Sequence, residues 1–221
     1  MPKAVIFDLD GTLVDSVHFH AEAWVKAFEQ YGYHTAFEDL RQQIGKGGDY
    51  ILPEFISEDE IEKDGDKISD YRKQYYQENY LPKVKSFPKV RELLERVKAD
   101  GNQIVLASSA RPETVQHYQE LLGIKDLIDG VTTTGDVEKA KPHPDIFLAA
   151  LNHLKGVNRE SVIVVGDSPY DAEAAQKVSL PTIGVLCGGF SEKILKEAGC
   201  IAIYKDPADL LDNYEESPLS S

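Results

Sequence analysis

Two aspartates separated by one residue, Asp8 and Asp10, stand at the end of a short apolar run, Ala4 to Phe7, and are followed by Gly11 and Thr12. Carboxylates at this spacing can divide labour. Asp8 can attack phosphorus and form an aspartyl phosphate, while Asp10 protonates the leaving group and then activates water. Three further polar signals lie downstream. Ser108-Ser109 follows the run Gln103 to Ala107, and Gly166-Asp167-Ser168-Pro169-Tyr170-Asp171 follows Ser161 to Val165. Lys141 stands in a loop before a helix opened by Pro144. In parallel α/β sheets ligands bind outside the carboxyl ends of the strands, so all four signals converge on one edge of one sheet.

Charge sharpens this reading. The chain of 221 residues carries 24 Lys plus Arg against 38 Asp plus Glu, a formal net charge of -14. That excess disfavours nucleic acid and anionic membranes as partners. It also repels a phosphorylated small molecule, so a phosphate site needs local positive charge or a bound cation. Magnesium suits oxygen ligands, few protein contacts and a substrate phosphate. Asp8 and Asp167 are the expected carboxylate ligands, with the Asp10 carbonyl as a third. Lys141 and Ser108 would supply positive charge and a hydrogen bond to the transferring group.

The elements that must position these residues alternate. Apolar runs at Ala4 to Phe7, Gln103 to Ala107, Val131 to Thr133, Ser161 to Val165, Pro181 to Leu186 and Cys200 to Tyr204 read as strands buried on both faces. Helical patterns lie between them, at Val90 to Ala99, Glu113 to Leu122, Asp145 to Leu154, Tyr170 to Val178 and Ser191 to Glu197. The rhythm predicts an α/β fold, a doubly wound, Rossmann-like parallel sheet. Residues 15–87 break it with helical patterns alone: Val17 to Tyr31, Phe37 to Ile44, Tyr50 to Phe55 and Glu58 to Tyr80. The expected division is a catalytic core of residues 1–14 and 88–216, an inserted all-helical cap of residues 15–87, and a tail of residues 217–221, with the polar stretch Tyr214 to Ser221 expected to fray.

A hydrophobic fraction of 42% suits a globular protein. No apolar run reaches membrane-span length, and Val5-Ile6-Phe7 is too short for a signal peptide. Cys187 and Cys200 form no metal or redox spacing, and free thiols are the simpler reading. A cytoplasmic monomer acting on a small phosphorylated molecule is the expectation.

Taken in order, Asp8-Leu9-Asp10-Gly11-Thr12, Ser108, Lys141-Pro142 and Gly166-Asp167 with Asp171 resemble the four motifs of haloacid-dehalogenase-superfamily phosphotransferases, over nearly the whole chain. The helical insert resembles the cap of the subgroup containing β-phosphoglucomutase and phosphoglycolate phosphatase. The resemblance implies magnesium, an aspartyl-phosphate intermediate, Asp8 as nucleophile and Asp10 as acid/base. The name-giving dehalogenases lack the second aspartate, so Asp10 argues against dehalogenation.

Each residue also has a plainer reading. Asp8 and Asp10 can end a strand in a turn closed by Gly11. Ser168, Pro169 and Asp171 fit an N-cap, first helical position and N3, so capping alone can account for Asp171; the resemblance adds a role beside the metal. Ser108 can cap the next turn, leaving Ser109 as the phosphate contact. His20 shares a helix face with Trp24 and is either structural or on the substrate side, as in β-phosphoglucomutase-like proteins. Gly45-Lys46-Gly47-Gly48-Asp49 does not follow a strand, so it is no dinucleotide loop; as a cap loop it offers Lys46 to substrate. Cys187-Gly188-Gly189-Phe190 reads as a turn into a helix. The leading function is a phosphomonoester hydrolase acting on a sugar or polyol phosphate. A mutase of the β-phosphoglucomutase type competes, but its cap loop resembles Lys-Gly-Val-Ser-Arg, and here the arginine that would hold the second phosphate is absent and Asp49 would repel it. A non-catalytic binding protein is the third reading.

Overall fold

The computed structural model describes residues 2–220. Strand β1 (Ala4–Phe7) leads through a tight loop to β2 (Val14–Asp15). Helices α1 (Val17–Gln30), α2 (Phe37–Arg41), α3 (Gly48–Ile51) and α4 (Glu58–Asn79) follow. The chain then runs through β3 (Lys85–Ser86), α5 (Val90–Ala99), β4 (Gln103–Ala107), α6 (Pro112–Leu122) and β5 (Gly130–Thr132). Next come α7 (Asp145–Leu151), β6 (Val162–Gly166), α8 (Pro169–Gln176), β7 (Thr182–Val185), α9 (Glu192–Glu197), β8 (Ala202–Tyr204) and α10 (Pro207–Asp212).

Two compact units result. One joins the chain up to Asp15 with the chain from Lys85 onward; the other is Ser16–Val84. The boundaries fall inside the expected 14/15 and 87/88 limits because β2 and β3 pair antiparallel, Val14 with Ser86 and Asp15 with Lys85. Two-residue strands with little apolar content leave no periodicity to read.

In the first unit six strands form one sheet in the order β5-β4-β1-β6-β7-β8, every pairing parallel. Successive side chains of a strand point to opposite faces. Ala4 and Ile6 join Val105, Val162 and Val164 in a cluster with Ile146 and Phe147 of α7 and Ala174 and Ala175 of α8. Val5 and Phe7, on the alternate face, are equally inaccessible. Burial on both faces explains why these strands read as unbroken apolar runs rather than alternating ones. Each large apolar side chain so buried contributes about 1.5–3 kcal/mol.

The register positions the chemistry. Phe7 lies opposite Leu106 on one side and Val165 on the other. Asp8, Ser108 and Asp167 therefore leave the sheet within one residue of the same level. The Asp8 N–H still donates to the Val165 carbonyl at 2.9 Å, and the Ser108 N–H to Thr132 at 3.0 Å.

The second unit is helical. Val17, Ala21, Trp24 and Phe28 recur at helical spacing on α1 and pack with Leu40, Ile51 and Ile68. Helix α4 starts at a capping box in which Ser57 and Glu60 satisfy each other's free ends, the Ser57 N–H reaching the Glu60 carboxylate at 2.8 Å. The helix read at Tyr50 to Phe55 begins instead at Gly48 and tightens to a 3-10 turn over Leu52–Glu54.

The frayed tail is a correction. Tyr214, Ser217 and Leu219 are buried, and the Arg96 guanidinium lies 4.5 Å from the Tyr214 ring centroid. Two buried apolar anchors, Tyr214 and Leu219, stand among polar residues, and Tyr214 meets α5 through Arg96. Ser221 lies outside the described residues.

Candidate active site

Asp8 follows β1 directly and is 4% exposed. Its Oδ1 accepts from the Lys141 ammonium at 2.6 Å, and the same ammonium donates to Asp171 Oδ1 at 2.7 Å. Lys141 is 1% exposed and Asp171 likewise, so this bridge is out of water. Asp171 reaches the site because α8 begins with the expected cap. The Ser168 hydroxyl and the Ser168 N–H both donate to Asp171 Oδ2, at 2.6 and 3.1 Å. Both oxygens of Asp171 are thus engaged, one by the cap and one by Lys141. Asp171 is therefore at once the capping-box residue of α8 and the charge partner of Lys141.

Asp167, after β6, is 3% exposed. The Thr12 hydroxyl lies 3.1 Å from Asp167 Oδ1 and 3.4 Å from Asp8 Oδ2, so one short side chain links the two carboxylates. Oxygens of Asp8, Asp167 and Asp171 all lie within 4.8 Å of one another. Three buried carboxylates then face one buried ammonium. Burial raises the Asp8 carboxyl to about 7; Lys141 pulls it down, while Asp171 and Asp10 push it up. Asp167 is likewise pushed well above the usual carboxylate range, by burial first and then by Asp171 and Asp8. Burial opposes the Lys141 charge, but Asp171 and Asp8 outweigh it and hold the ammonium above its ordinary value.

An excess of buried negative charge among oxygen donors is the chemistry of a hard divalent cation site. Asp8 and Asp167 are the carboxylates of the cluster not already saturated by a cap, and they fit magnesium.

Ser108 is fully buried at the end of β4, and its Oγ accepts the Ala110 N–H at 3.0 Å. Ser109 is half-buried beside it. Asp10 lies two residues beyond Asp8, half-buried, and its Oδ1 accepts from the Tyr118 hydroxyl of α6 at 2.9 Å. His20 and Lys46 belong to the helical unit. The His20 ring stacks on Tyr76 with centroids 4.0 Å apart, and its Nδ1 is 3.2 Å from the Arg72 guanidinium. Lys46 donates to Gln43 at 2.6 Å and pairs with Glu54 at 2.9 Å.

Two residues that adjoin the candidate site carry no clear signal in the sequence. Tyr118 sits inside an amphipathic helix where an aromatic is ordinarily core. Gly188 ends a 3-10 turn after β7 and abuts Asp167: any side chain there would overlap the Asp167 carboxylate, with a Cβ only 2.6 Å from the Asp167 Cβ. The Gly188-Gly189 pair was the available signal, but it reads as a turn. Its neighbour Cys187 lies with Sγ 3.2 Å from the Gly11 carbonyl oxygen, and burial keeps that thiol well above its ordinary pKa.

Fold and site together define a parallel α/β enzyme whose carboxylates and lysine gather at the carboxyl edge of the sheet. Residues 5–185 match the family model described as haloacid dehalogenase-like hydrolase, and the chain belongs to that family. It is 32% identical to a phosphorylated carbohydrates phosphatase of Thermotoga maritima, over 97% of this chain and 99% of the relative. A phosphoglycolate phosphatase of Aquifex aeolicus is 30% identical, over 84% and 85% of the two chains. The crystal structure of a hydrolase from Pseudomonas syringae superposes with a TM-score of 0.85 at 31% identity, covering 96% and 98%. The relatives place the chain among the phosphatases of the family. Among the described residues no helix is long and apolar enough to cross a membrane.

Proposed function

We propose that the protein is a magnesium-dependent phosphomonoester hydrolase acting on a small sugar or polyol phosphate through an aspartyl phosphate on Asp8. The observation that carries the reading is the buried Asp8–Lys141–Asp171 bridge beside Asp167. It assembles a nucleophile, a cation for the phosphoryl oxygens and a carboxylate excess suited to a metal ion. The name of the Thermotoga relative supports a carbohydrate phosphate as substrate class.

In this reading an Asp8 oxygen attacks phosphorus as the ester P–O bond breaks, and the departing oxygen takes a proton from Asp10. Water then gives its proton to Asp10 and its oxygen to phosphorus. Inorganic phosphate leaves, and Asp8 is again a free carboxylate. Lys141 holds Asp8 and faces the charge developing on the phosphoryl group; Asp171 holds Lys141. Ser108, with Ser109 beside it, offers a hydroxyl at the same strand edge. Thr12 fixes Asp167 against Asp8. Asp8 and Asp167, with the Asp10 carbonyl, would hold magnesium, which when bound neutralises charge between the carboxylates and the phosphate.

The helical unit acts as a cap that selects the leaving group. Its insertion between the Asp8 loop and the rest of the α/β unit, with both crossings at the β2–β3 pair, supports that role. His20 and Lys46 are its candidate substrate contacts.

The test is phosphate release from a panel of sugar, polyol and carboxylic phosphomonoesters, with and without magnesium, with parallel detection of sugar-phosphate isomers. Magnesium-dependent release that ranks sugar or polyol phosphates first is expected. Isomer formation without net release would replace the hydrolase with a mutase, and release that survives chelation would remove the metal.

A further inference from the structure

We propose that Tyr118 is a positioning residue for Asp10, holding the carboxyl group so that its second oxygen delivers the proton to the leaving group. The proposal rests on the reading of Asp10 as the acid. The Tyr118 hydroxyl donates to Asp10 Oδ1 at 2.9 Å. Tyr118 itself is fully buried on α6, a helix that starts at Pro112, just past the Ser108 loop. One helix therefore follows one strand-end motif directly and braces another.

The backbone under Asp10 is fixed as well. Asp10 bridges to Val14, and the Gly11 N–H donates to the Val14 carbonyl at 2.9 Å, with Gly11 at a φ of 82° that favours glycine. An Asp side chain also has its own torsions, and a hydrogen bond to a carboxyl oxygen restrains them. A phenol has two side-chain torsions, and here its ring is locked by packing, so it restrains the carboxyl at small entropic cost. A carboxyl oxygen that accepts a hydroxyl hydrogen is the acceptor end of the acid. In protonated Asp10 the transferable proton then lies on Oδ2. When the ester P–O bond breaks and its electron pair passes to the departing oxygen, that proton is already on the oxygen that Tyr118 does not hold.

A buried tyrosine that merely satisfies its hydroxyl would make the same contact, so the test must separate posture from packing. The kcat/KM for the best alkyl phosphate and for p-nitrophenyl phosphate is measured in the unaltered enzyme, Tyr118→Phe and Asp10→Asn. An alkoxide needs its proton as it leaves, whereas p-nitrophenolate does not. Tyr118→Phe removes one oxygen and keeps the ring. It is expected to lose about tenfold on the alkyl phosphate, a fraction of the 10²–10⁴ that a general acid supplies. It should lose less than about twofold on the nitrophenyl ester, with the alkyl phosphate KM and the magnesium half-saturation unchanged. Equal losses on both substrates, or no loss, overturn the proposal, because a packing defect does not discriminate between leaving groups. Asp10→Asn separates the two levels. Selectivity there without selectivity in Tyr118→Phe sinks the positioning role alone. No selectivity in Asp10→Asn removes the acid reading, and the Tyr118 role with it.

Discussion

The two units bury charge in opposite ways. In the α/β unit Asp8, Asp167, Asp171 and Lys141 are all inaccessible, and each is held by another member of the group or by Thr12 or Ser168. In the helical unit Asp64 is the buried carboxylate, yet its partners Lys63 and Lys67 have side chains 74% and 59% exposed. Beside it a cation meets aromatic rings: Arg72 lies 5.2 Å from the Trp24 ring centroid and reaches His20, which stacks on Tyr76. A dry, over-negative cluster can be tuned by a metal ion and loses much when one member is removed. Solvated pairs and stacked rings tolerate change. On the proposed function, chemistry falls to the unit where exchange is costly, and substrate choice to the unit where it is cheap.

The strongest way to break this contrast is Asp8→Asn. Turnover is expected to fall at least about 10³-fold, as when a nucleophile is removed, while far-UV circular dichroism stays unchanged. Retained activity in verified protein would take Asp8 out of the chemistry.

Gly188→Ala comes next. Its methyl group must displace the Asp167 carboxylate, so magnesium affinity read by titration calorimetry should weaken about 10–100-fold, the range for groups that orient metal ligands. Unaltered affinity would mean that Asp167 does not bind the ion.

A third test reads the charge excess through stability. The folded Asp8 carboxyl is raised from 3.8 to about 7, so between those values the folded state holds a proton that the unfolded state has released. The unfolded state binds fewer protons there, and the metal-free protein should lose stability as pH rises through that window. Asp167, shifted the same way, adds to the loss. Magnesium should restore the melting temperature increasingly toward neutral pH, and Asp8→Asn should flatten the metal-free profile. A metal-free melting temperature that climbs over that window would contradict the cluster's electrostatics.

The smallest effects are expected from the helical unit. Lys46→Ala and His20→Ala should alter KM and the ranking of substrates by less than about tenfold while leaving kcat for p-nitrophenyl phosphate nearly unchanged. A loss there rivalling Asp8→Asn would move chemistry into that unit and dissolve the comparison.

Much of the candidate site is legible in the amino-acid sequence because a parallel sheet imposes a simple rule. The residue after each doubly buried run stands at the carboxyl edge. That rule brings Asp8, Ser108 and Asp167 to one edge, and the capping pattern Ser168-Pro169-Asp171 is readable because N-caps are local. The tail is opaque for the opposite reason: two anchors among polar residues leave no period. Tyr118 and Gly188 were invisible for a third. Tyr118 meets Asp10 across 108 positions of sequence, and Gly188 matters only through the side chain it lacks.

The amino-acid sequence by itself determined the alternation of buried strands and amphipathic helices, the helical insertion and the acidic, serine and lysine residues at the strand ends. These follow from short-range periodicity and from residue chemistry, which a linear chain displays openly. Tertiary structure alone decided that Lys141 bridges Asp8 and Asp171, that Thr12 links two carboxylates, that Tyr118 braces Asp10, and that Asp8 is pushed toward neutral pH. Those depend on through-space distance and on exclusion of water, and neither exists until the sheet closes over its helices.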